Sequence, residues 1–486
     1  MQQVWSISGR SIAVSALALA LTACQSMRGP EPVAQASIPE GFLTNASSGP
    51  SIAEQGYKDF FSDPRLIQTL DLALANNRDL RTATLNIQRA QQQYQISENN
   101  QLPTIGASGG VLRQDTLNSK PMTTYNVGLG VTAYELDFWG RVRSLKDNAL
   151  DNYLATSSAR DATQIALVGQ VAQAWLNYSF ANAQLKLADQ TLKAQLESYN
   201  LNKKRFDVGI DSEVPVRQAQ ISVETARNDV ANYKTQIAQA QNLLNLLVGQ
   251  QIPTNLLPAQ RVTKIASAST FTSGLPSDLL NNRPDVKSAE YQLSAAGANI
   301  GAAKARMFPT ISLTGSAGYA STDLSDLFKS GGFVWSVGPS IDIPLWDWGT
   351  RKANVKISET DQQIALSDYE KSIQSAFREV NDALAVRQNI GDRLSAQRRL
   401  VDATNTTYKL SNARFRAGID SFLTVLDAQR SSYAAEQGLL LLEQANLNNQ
   451  VELYKTLGGG VKANSSDQVI QQPSSAGLKT QSKTEQ

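Results

Sequence analysis

The sequence is an internal duplication, and this constrains its fold more than any other feature. NNRDLRTATLNIQ at Asn76 is matched by NNRPDVKSAEYQL at Asn281, and RFDVGIDSEV at Arg205 is matched by RFRAGIDSFL at Arg414. The separation between matching residues drifts only from about 205 to about 209. Solenoid repeats are far shorter, at roughly 20–50 residues. The sequence therefore predicts two similar halves with the same order of elements.

Each half has the same predicted elements. A helical stretch, near 76–100 and near 277–307, stops before Pro103 or Pro309, because proline cannot continue a helix. Two strand patterns follow in each half. A proline-free helix then runs from 141 to about 203 and from 351 to about 412. The repeated GIDS sequence reverses the chain into a shorter helix, predicted at 211–248 and 421–457.

The strand patterns alternate apolar residues with small or polar ones. The apolar positions include Tyr125, Val127, Leu129, Val131, Ile311, Leu313, Phe333, Trp335 and Val337. The runs are long enough for tilted membrane strands, which need about 9–11 residues, and aromatic clusters at 134–139 and 346–348 follow them, as in the girdles of barrels. A soluble β-sandwich would alternate in the same way, but the clusters and the long helices favour membrane strands. Four strands cannot close a barrel, so a cyclic oligomer is expected, with two, three or four copies left open.

The N-terminus has the pattern of a secretory signal peptide. Arg10 is followed by the apolar run SIAVSALALALTA and then by Cys24, the single cysteine. The residues LTAC resemble the bacterial lipobox, which implies removal of residues 1–23 and attachment of N-palmitoyl and S-diacylglycerol groups to Cys24. Gln25 follows, which by analogy with lipoprotein sorting favours the outer membrane. The alternative is a chance cysteine behind an ordinary signal peptide.

Composition excludes several function classes. The chain has 45 basic and 43 acidic residues, and this balance argues against a nucleic-acid surface. It has no histidine, which removes the commonest general base and the commonest metal ligand. We therefore predict that the protein is not an enzyme and has no catalytic site, no metal site and no cofactor besides the covalent lipid on Cys24.

The segment from Ser51 to Gly460 resembles the TolC/OprM family of outer-membrane efflux channels. The resemblance rests on NNRPDVKSAE, FPTISLTGS, WDWG, RFRAGIDSFLTVLDAQRS and VELYKTLGGG together. It implies a mainly α fold with a membrane β-barrel: long helical hairpins form a periplasmic tunnel, and four strands per protomer contribute to a 12-stranded trimeric barrel.

The same resemblance implies a function. The protein would be a passive exit duct for drugs and other small molecules in a tripartite efflux system. Its partners would be two further copies of itself, a periplasmic adaptor protein and an inner-membrane pump of the resistance-nodulation-division (RND) class. A duct for type I protein secretion or metal-ion efflux is the alternative, and a coiled-coil spacer lipoprotein is a second one.

The resemblance also implies a periplasmic gate at the GIDS turns. Leu423, Asp427 and Arg430 match the family positions that line or brace the aperture, with Leu423 as a hydrophobic constriction. Val214 aligns with Leu423 in the first half, whereas Gln218 replaces the acid. A trimer would then bring three carboxylates to the pore axis, which favours cations. The alternative is an ordinary exposed helix pair between Asp427 and Arg430.

Residues near the turns have structural interpretations. Asp211 and Asp420 are predicted to be caps: in each GIDS sequence a glycine ends one helix, and the aspartate or the serine after it starts the next. The predicted domains are a signal peptide at 1–23, a lipidated tether at 24–62, a first repeat at 63–257, a connecting segment at 258–275, a second repeat at 276–462 and a disordered tail at 463–486.

Overall fold

The computed structural model describes residues 27–35, 55–115, 121–258, 260–267 and 282–460. The signal peptide, Cys24 and the predicted tail lie outside the described residues. The chain divides into two compact units. The first unit combines Met1–Ser37, Thr82–Arg160 and Pro284–Ser375, and the second combines Ile38–Arg81, Asp161–Arg283 and Ala376–Gln486.

The predicted elements occur in the predicted order in both halves, and the first half begins with two further helices. In the first half they are α1 (Tyr57–Phe60), α2 (Pro64–Asn76), α3 (Arg78–Asn99), β1 (Ile105–Gln114), β2 (Met122–Glu135), α4 (Arg141–Asp207) and α5 (Glu213–Val248). In the second half they are α6 (Pro284–Ala305), β3 (Thr310–Ser321), β4 (Phe333–Asp342), α7 (Thr350–Arg416) and α8 (Phe422–Thr456). The long helices α4 and α7 each have 67 residues and extend four residues beyond the predicted ends.

The four strands of the first unit form one antiparallel sheet in the order β1-β2-β3-β4. The two halves of the sequence meet where β2 pairs with β3, for example with Gly130 opposite Ser316. The register between these strands shifts between Val131 and Tyr134, at a β-bulge where Ala133 adopts a φ of 49°. Within the described residues, no further strand joins the outer edges of β1 and β4 in this sheet.

The pairing of β2 with β3 requires glycine at one point. Gly128 lies opposite Gly318, and a Cβ added to Gly128 would lie 2.8 Å from the carbonyl oxygen of Ala317. Glycine therefore allows the two backbones to approach closely at the junction between the halves.

The core of the second unit is built around large aromatic side chains. The rings of Phe60 and Phe61 pack on Tyr454, at centroid distances of 4.6 and 5.6 Å. Trp175 in α4 is fully buried, and its Nε1 donates a hydrogen bond of 3.0 Å to the carbonyl oxygen of Leu256. This bond satisfies the indole N–H inside an apolar core.

The N-terminal segment at 27–35 is held against the first unit. The Nη2 of Arg28 donates to the carbonyl oxygen of Ser294 at 2.8 Å, and the Ser294 hydroxyl donates to Asp151 at 2.7 Å. Glycine leaves room for the segment, because a Cβ on Gly301 would lie 3.1 Å from the Arg28 backbone nitrogen. The chain is thus fixed four residues after Cys24.

Among the helices of the described residues, we find none with a stretch long and apolar enough to cross a membrane.

Candidate functional site at the paired helical turns

The two GIDS turns have the same backbone geometry. Helix α4 ends before Gly209 and helix α7 before Gly418, and both glycines have a φ of 76°. In the second turn the Gly418 amide donates to the Phe415 carbonyl at 2.9 Å, and the Ile419 amide donates to the Arg414 carbonyl at 3.0 Å. This pair of bonds is the Schellman motif, in which a left-handed glycine ends the helix. The prediction that glycine ends both helices is confirmed.

An arginine spans each turn and holds the aspartate. Arg205 Nε donates to Asp211 Oδ2 at 2.5 Å. Arg414 binds Asp420 through two bonds, Nε to Oδ2 at 2.7 Å and Nη2 to Oδ1 at 2.9 Å. The hydrogen bond from Arg414 lowers the pKa of Asp420 below its ordinary value and raises the pKa of the Arg414 guanidinium.

The prediction that Asp211 and Asp420 cap the following helices is wrong, whereas the other predicted start, the serine after each aspartate, is correct. The N-cap positions are Ser212 and Ser421, and neither serine makes a capping hydrogen bond with its side chain. Both aspartates instead turn back to the arginine six residues earlier, because a charge-assisted bond to a guanidinium is stronger than a bond to a neutral amide. The sequence contained a sign of this ion pair. The repeated motif RF-x-x-GID places the arginine six residues before the aspartate in both halves.

A small apolar core lies behind the second turn. It comprises Ala219, Phe415, Phe422, Val425 and Leu426, with Tyr199 and Tyr408 packed against it. The rings of Phe415 and Phe422 lie 5.6 Å apart. The guanidinium carbon of Arg205 stands 5.2 Å from the centre of the Phe415 ring, a cation–π contact that joins the two turns. The sequence analysis did not identify this contact.

The equivalent phenylalanines of the two turns differ in burial. Phe415 is 6 % exposed, whereas Phe206, at the matching position of the first turn, is 42 % exposed. The duplicated sequence therefore produces two turns with the same backbone and different surroundings.

The predicted gate residues all lie at the surface near these turns. Leu423 is 50 % exposed and Val214 is 61 % exposed, and each is the second residue of the helix that follows its GIDS sequence. Asp427 and Arg430 are both exposed on α8, and the structure places no ion pair between these two described residues. The ordinary helix pair considered as an alternative is therefore not formed in this structure.

A groove of about 490 Å³ runs beside Asp427, between α7 and α8. It is lined by Thr404, Thr407, Ser411, Leu423, Thr424, Asp427, Ala428 and Ser431. Hydroxyl groups from both helices thus surround one carboxylate and two apolar side chains, Leu423 and Ala428. Such a lining can be hydrated, and the carboxylate gives it a negative charge.

Polar contacts join the two helical hairpins farther from the turns. The hydroxyl of Tyr433 in α8 donates to Asp229 in α5 at 3.0 Å, and Gln437 donates to the Tyr233 hydroxyl at 3.0 Å. Burial and the Asp229 carboxylate raise the pKa of Tyr433, so the phenol stays protonated and remains a donor.

Comparison with known proteins identifies the chain. The family of outer membrane efflux proteins matches residues 69–250 and 275–459, which are the two halves of the duplication. The chain belongs to the outer membrane efflux protein family. This outer membrane efflux protein therefore has the predicted family, the predicted fold of outer membrane channels and the predicted outer-membrane location, and its family is not one of enzymes. The lipid anchor and the trimer stay predictions.

Two relatives illustrate the range of the family. The antibiotic efflux pump outer membrane protein ArpC of Pseudomonas putida is 42 % identical over 447 residues, which cover 89 % of this chain and 91 % of ArpC. The cation efflux system protein CusC of Escherichia coli is 39 % identical, over 91 % of this chain and 98 % of CusC.

A solved structure with the same fold is the open state of the MtrE outer membrane channel of Neisseria gonorrhoeae. Its TM-score with this outer membrane efflux protein is 0.83 at 38 % identity, and the match covers 90 % of this chain and 99 % of MtrE. The long helical hairpins and the small sheet are thus those of an outer membrane channel, as predicted.

Proposed function

We propose that this outer membrane efflux protein is the passive exit duct of a tripartite RND efflux system for drugs and other small molecules. The observation that carries the proposal is the four-stranded sheet with both outer edges open, in a member of this family. An open sheet edge in lipid leaves backbone groups without hydrogen bonds, at several kcal/mol each. In a membrane, the backbone groups at these edges are hydrogen-bonded only if the sheet is part of a larger closed barrel.

In this proposal three copies form the barrel. Four strands from each copy give 12 strands, a number within the range of natural membrane barrels. The helical hairpins of the three copies form the tunnel that conducts the substrate. A passive duct requires no catalytic step and no cofactor.

The proposed gate lies at the paired turns. Leu423 and Val214 are apolar and exposed, which suits side chains that meet around an axis. Asp427 contributes a carboxylate beside a hydroxyl-lined groove, so three copies would present a ring of negative charge. A ring of carboxylates attracts cations and repels anions. Arg430 lies three residues after Asp427 on the same face of α8, so in the assembled gate it would brace the ring by contacts that the single chain does not make.

The partners in this proposal are a periplasmic adaptor protein and an inner-membrane RND pump. A relative supports them, since ArpC is the outer membrane protein of an antibiotic efflux pump. The duct supplies the passage, and the pump supplies the energy and the choice of substrate.

We also propose that the mature protein begins at Cys24 and carries lipid there. The position of Arg28 supports this, because its bonds to Ser294 hold the chain against the first unit only four residues later. Mass spectrometry of the N-terminal peptide tests the proposal: an acylated peptide that begins at Cys24 is expected, and an unmodified Cys24 contradicts it.

Metal-ion efflux is the second candidate, since CusC is a cation efflux system protein and is 39 % identical. A deletion strain distinguishes the two candidates. Loss of resistance to organic drugs supports drug efflux, whereas selective sensitivity to metal ions supports cation efflux.

Single-channel conductance of the purified protein in planar bilayers tests the duct and the gate together. We expect a small, cation-preferring conductance that increases and loses its selectivity when Asp427→Ala is combined with Arg430→Ala. The matched control combines Glu224→Ala with Arg227→Ala, which removes an exposed acid–base pair with the same three-residue spacing from α5. If the channel conducts and the Asp427→Ala, Arg430→Ala variant has unchanged conductance and selectivity, the proposed gate is contradicted. If neither this variant nor the control variant conducts, the proposed duct is contradicted.

A further inference from the structure

The duplication places one tryptophan in two different environments. Trp139 follows β2, and Trp348 occupies the matching position after β4, in the sequences ELDFWGR and PLWDWGT. Trp139 donates its Nε1–H to the carbonyl oxygen of Pro309 at 2.7 Å and stacks on Phe308 at a centroid distance of 4.8 Å. This contact crosses from the first half of the chain to the second.

Among the described residues, the matching tryptophan makes no comparable contact. Trp348 is 89 % exposed, and its ring contact within the described residues is with Trp346, which is also exposed. Its φ of 55° lies in the left-handed region, where a bulky side chain is strained. Strain of this kind persists where surrounding contacts hold the residue in place.

The residues that match the docking site of Trp139 are exposed as well. Phe308 and Pro309 correspond to Leu102 and Pro103, in the sequences FPTIS and LPTIG. Leu102 is 66 % exposed. The chain therefore has an exposed tryptophan, Trp348, beside the open edge of β4. Leu102 and Pro103, which match the residues that bind Trp139, lie exposed beside the open edge of β1.

We propose that these two surfaces join neighbouring copies of this chain. Trp348 donates its Nε1–H to the carbonyl oxygen of the partner subunit's Pro103 and packs its ring on the partner subunit's Leu102. The edge of β4 pairs with the edge of the partner subunit's β1. The junction between copies thus repeats the junction between the two halves of one chain. The proposal rests on the homo-oligomeric barrel proposed above.

The strand register follows from the same correspondence. Within the chain, Gly130 lies opposite Ser316, and Gly128 lies opposite Gly318. The β1–β2 and β3–β4 pairings show that Gly130 and Gly128 of β2 correspond to Ser340 and Gly338 of β4. Ser316 and Gly318 of β3 correspond to Gly110 and Leu112 of β1. Between copies, Ser340 should therefore lie opposite the partner subunit's Gly110, and Gly338 opposite the partner subunit's Leu112. A backbone bond is transferred too: the Leu136 amide donates to the Ile311 carbonyl at 2.8 Å, which predicts a bond from Leu345 to the partner subunit's Ile105.

An interface of this kind joins unlike surfaces. The β4 side of one copy meets the β1 side of the next, so the contact is head-to-tail and closes only as a ring. Each copy uses both of its open edges, and no edge remains in the closed assembly.

Engineered disulfides test the register. The natural chain has one cysteine, Cys24, so a disulfide between subunits can be assigned to the introduced cysteines. We expect Ser340→Cys with Gly110→Cys, and Gly338→Cys with Leu112→Cys, to form cross-links between subunits on non-reducing gels. Within one chain these strands are three strand spacings apart, about 14 Å, which is too far for a disulfide.

The matched controls exchange the same four positions. Ser340→Cys with Leu112→Cys, and Gly338→Cys with Gly110→Cys, lie on the same face with the register displaced by two residues. Diagonal neighbours in a sheet are about 7–8 Å apart, so these pairs should remain largely reduced. Two outcomes overturn the proposed contact and leave the trimeric duct intact. One is equal cross-linking of the displaced pairs, and the other is no cross-linking from any pair in a protein that still sediments as a trimer. A monomer without cross-links overturns both.

A second measurement tests the tryptophan. Trp348→Ala should lower the temperature at which the detergent-solubilised oligomer dissociates, whereas Trp346→Ala should leave it nearly unchanged. Both variants lose the ring contact between these two residues, which makes them a matched pair. Equal shifts in the two variants would overturn the role of Trp348.

Discussion

Arg414 donates two hydrogen bonds to Asp420 across the second turn, from Nε to Oδ2 at 2.7 Å and from Nη2 to Oδ1 at 2.9 Å. The arginine is also a structural part of the turn, because its carbonyl accepts the Ile419 amide. One residue therefore ends helix α7 through its backbone and fixes the following aspartate through its side chain. Arg205 has both roles in the first turn.

The pair predicts a pH dependence of stability. The bond to Arg414 lowers the pKa of Asp420 below 3.8, so the folded carboxyl binds a proton less readily than the unfolded one. The contribution of the pair is therefore complete above the unfolded pKa and is lost as the pH falls through the folded pKa. We expect Asp420→Asn to unfold at a lower temperature than the natural protein at pH 7.

The difference between the two unfolding temperatures should shrink as the pH falls below about 4, because the natural carboxyl then becomes neutral as well. Glu224→Gln, at an exposed helix pair outside the turns, is the control and should change the unfolding temperature little. A difference that does not vary with pH would contradict the ion-pair explanation.

The glycine that ends α7 should not tolerate a side chain. Gly418→Ala forces a Cβ into the left-handed region at a φ of 76°, which costs about 1–2 kcal/mol. Gly391→Ala lies in the exposed interior of the same helix, where a Cβ meets no atom within 4 Å, and should stabilise by about 0.5–1 kcal/mol. Thermal unfolding measures both, and shifts in the same direction would contradict the conformational argument.

The apolar constriction should be sensitive to polarity. Leu423→Ser replaces an exposed apolar side chain at the proposed aperture with a smaller, hydrated one, so we expect a severalfold larger single-channel conductance. Val214→Ser should act in the same direction at the other turn. Leu441→Ser, at a similarly exposed leucine of α8 far from the turn, is the control. An equal effect of Leu441→Ser would show that exposure alone, without position, explains the change.

The buried indole of the second unit should be important for stability. Trp175→Phe removes the Nε1–H that donates to Leu256 and leaves a buried carbonyl without its partner, which costs about 1–3 kcal/mol. Chemical denaturation measures the loss. Trp346→Phe, at an exposed tryptophan, is the control and should stay within about 0.5 kcal/mol. Unchanged stability of Trp175→Phe would indicate that another donor replaces the indole.

Local patterns were enough to predict most of the architecture. Alternation with period two predicted the four strands, proline-free stretches predicted α4 and α7, and glycine in the repeated turn predicted where those helices end. Each of these features depends on the conformational preference of neighbouring residues, which the sequence contains directly. The bulge at Ala133 was not predicted, because it depends on how β2 pairs with a strand from the other half.

The assignment of Asp211 and Asp420 failed for a related reason. A helix cap and an ion pair both place an aspartate beside a turn, and only the three-dimensional position of the arginine separates them. The candidate gate residues were located on exposed surfaces by the structure, and their role at an aperture stays a prediction for the conductance measurements.

The sequence by itself determined two equivalent halves, their elements and their turns, because equal sequences have equal local preferences. Only the tertiary structure decided where the halves differ. Phe415 is buried and Phe206 is exposed, and Trp139 is docked while Trp348 is not, although each pair occupies matching positions. The physical reason is that the first half packs against the second, whereas the outer edge of the second half has no equivalent neighbour within the described chain.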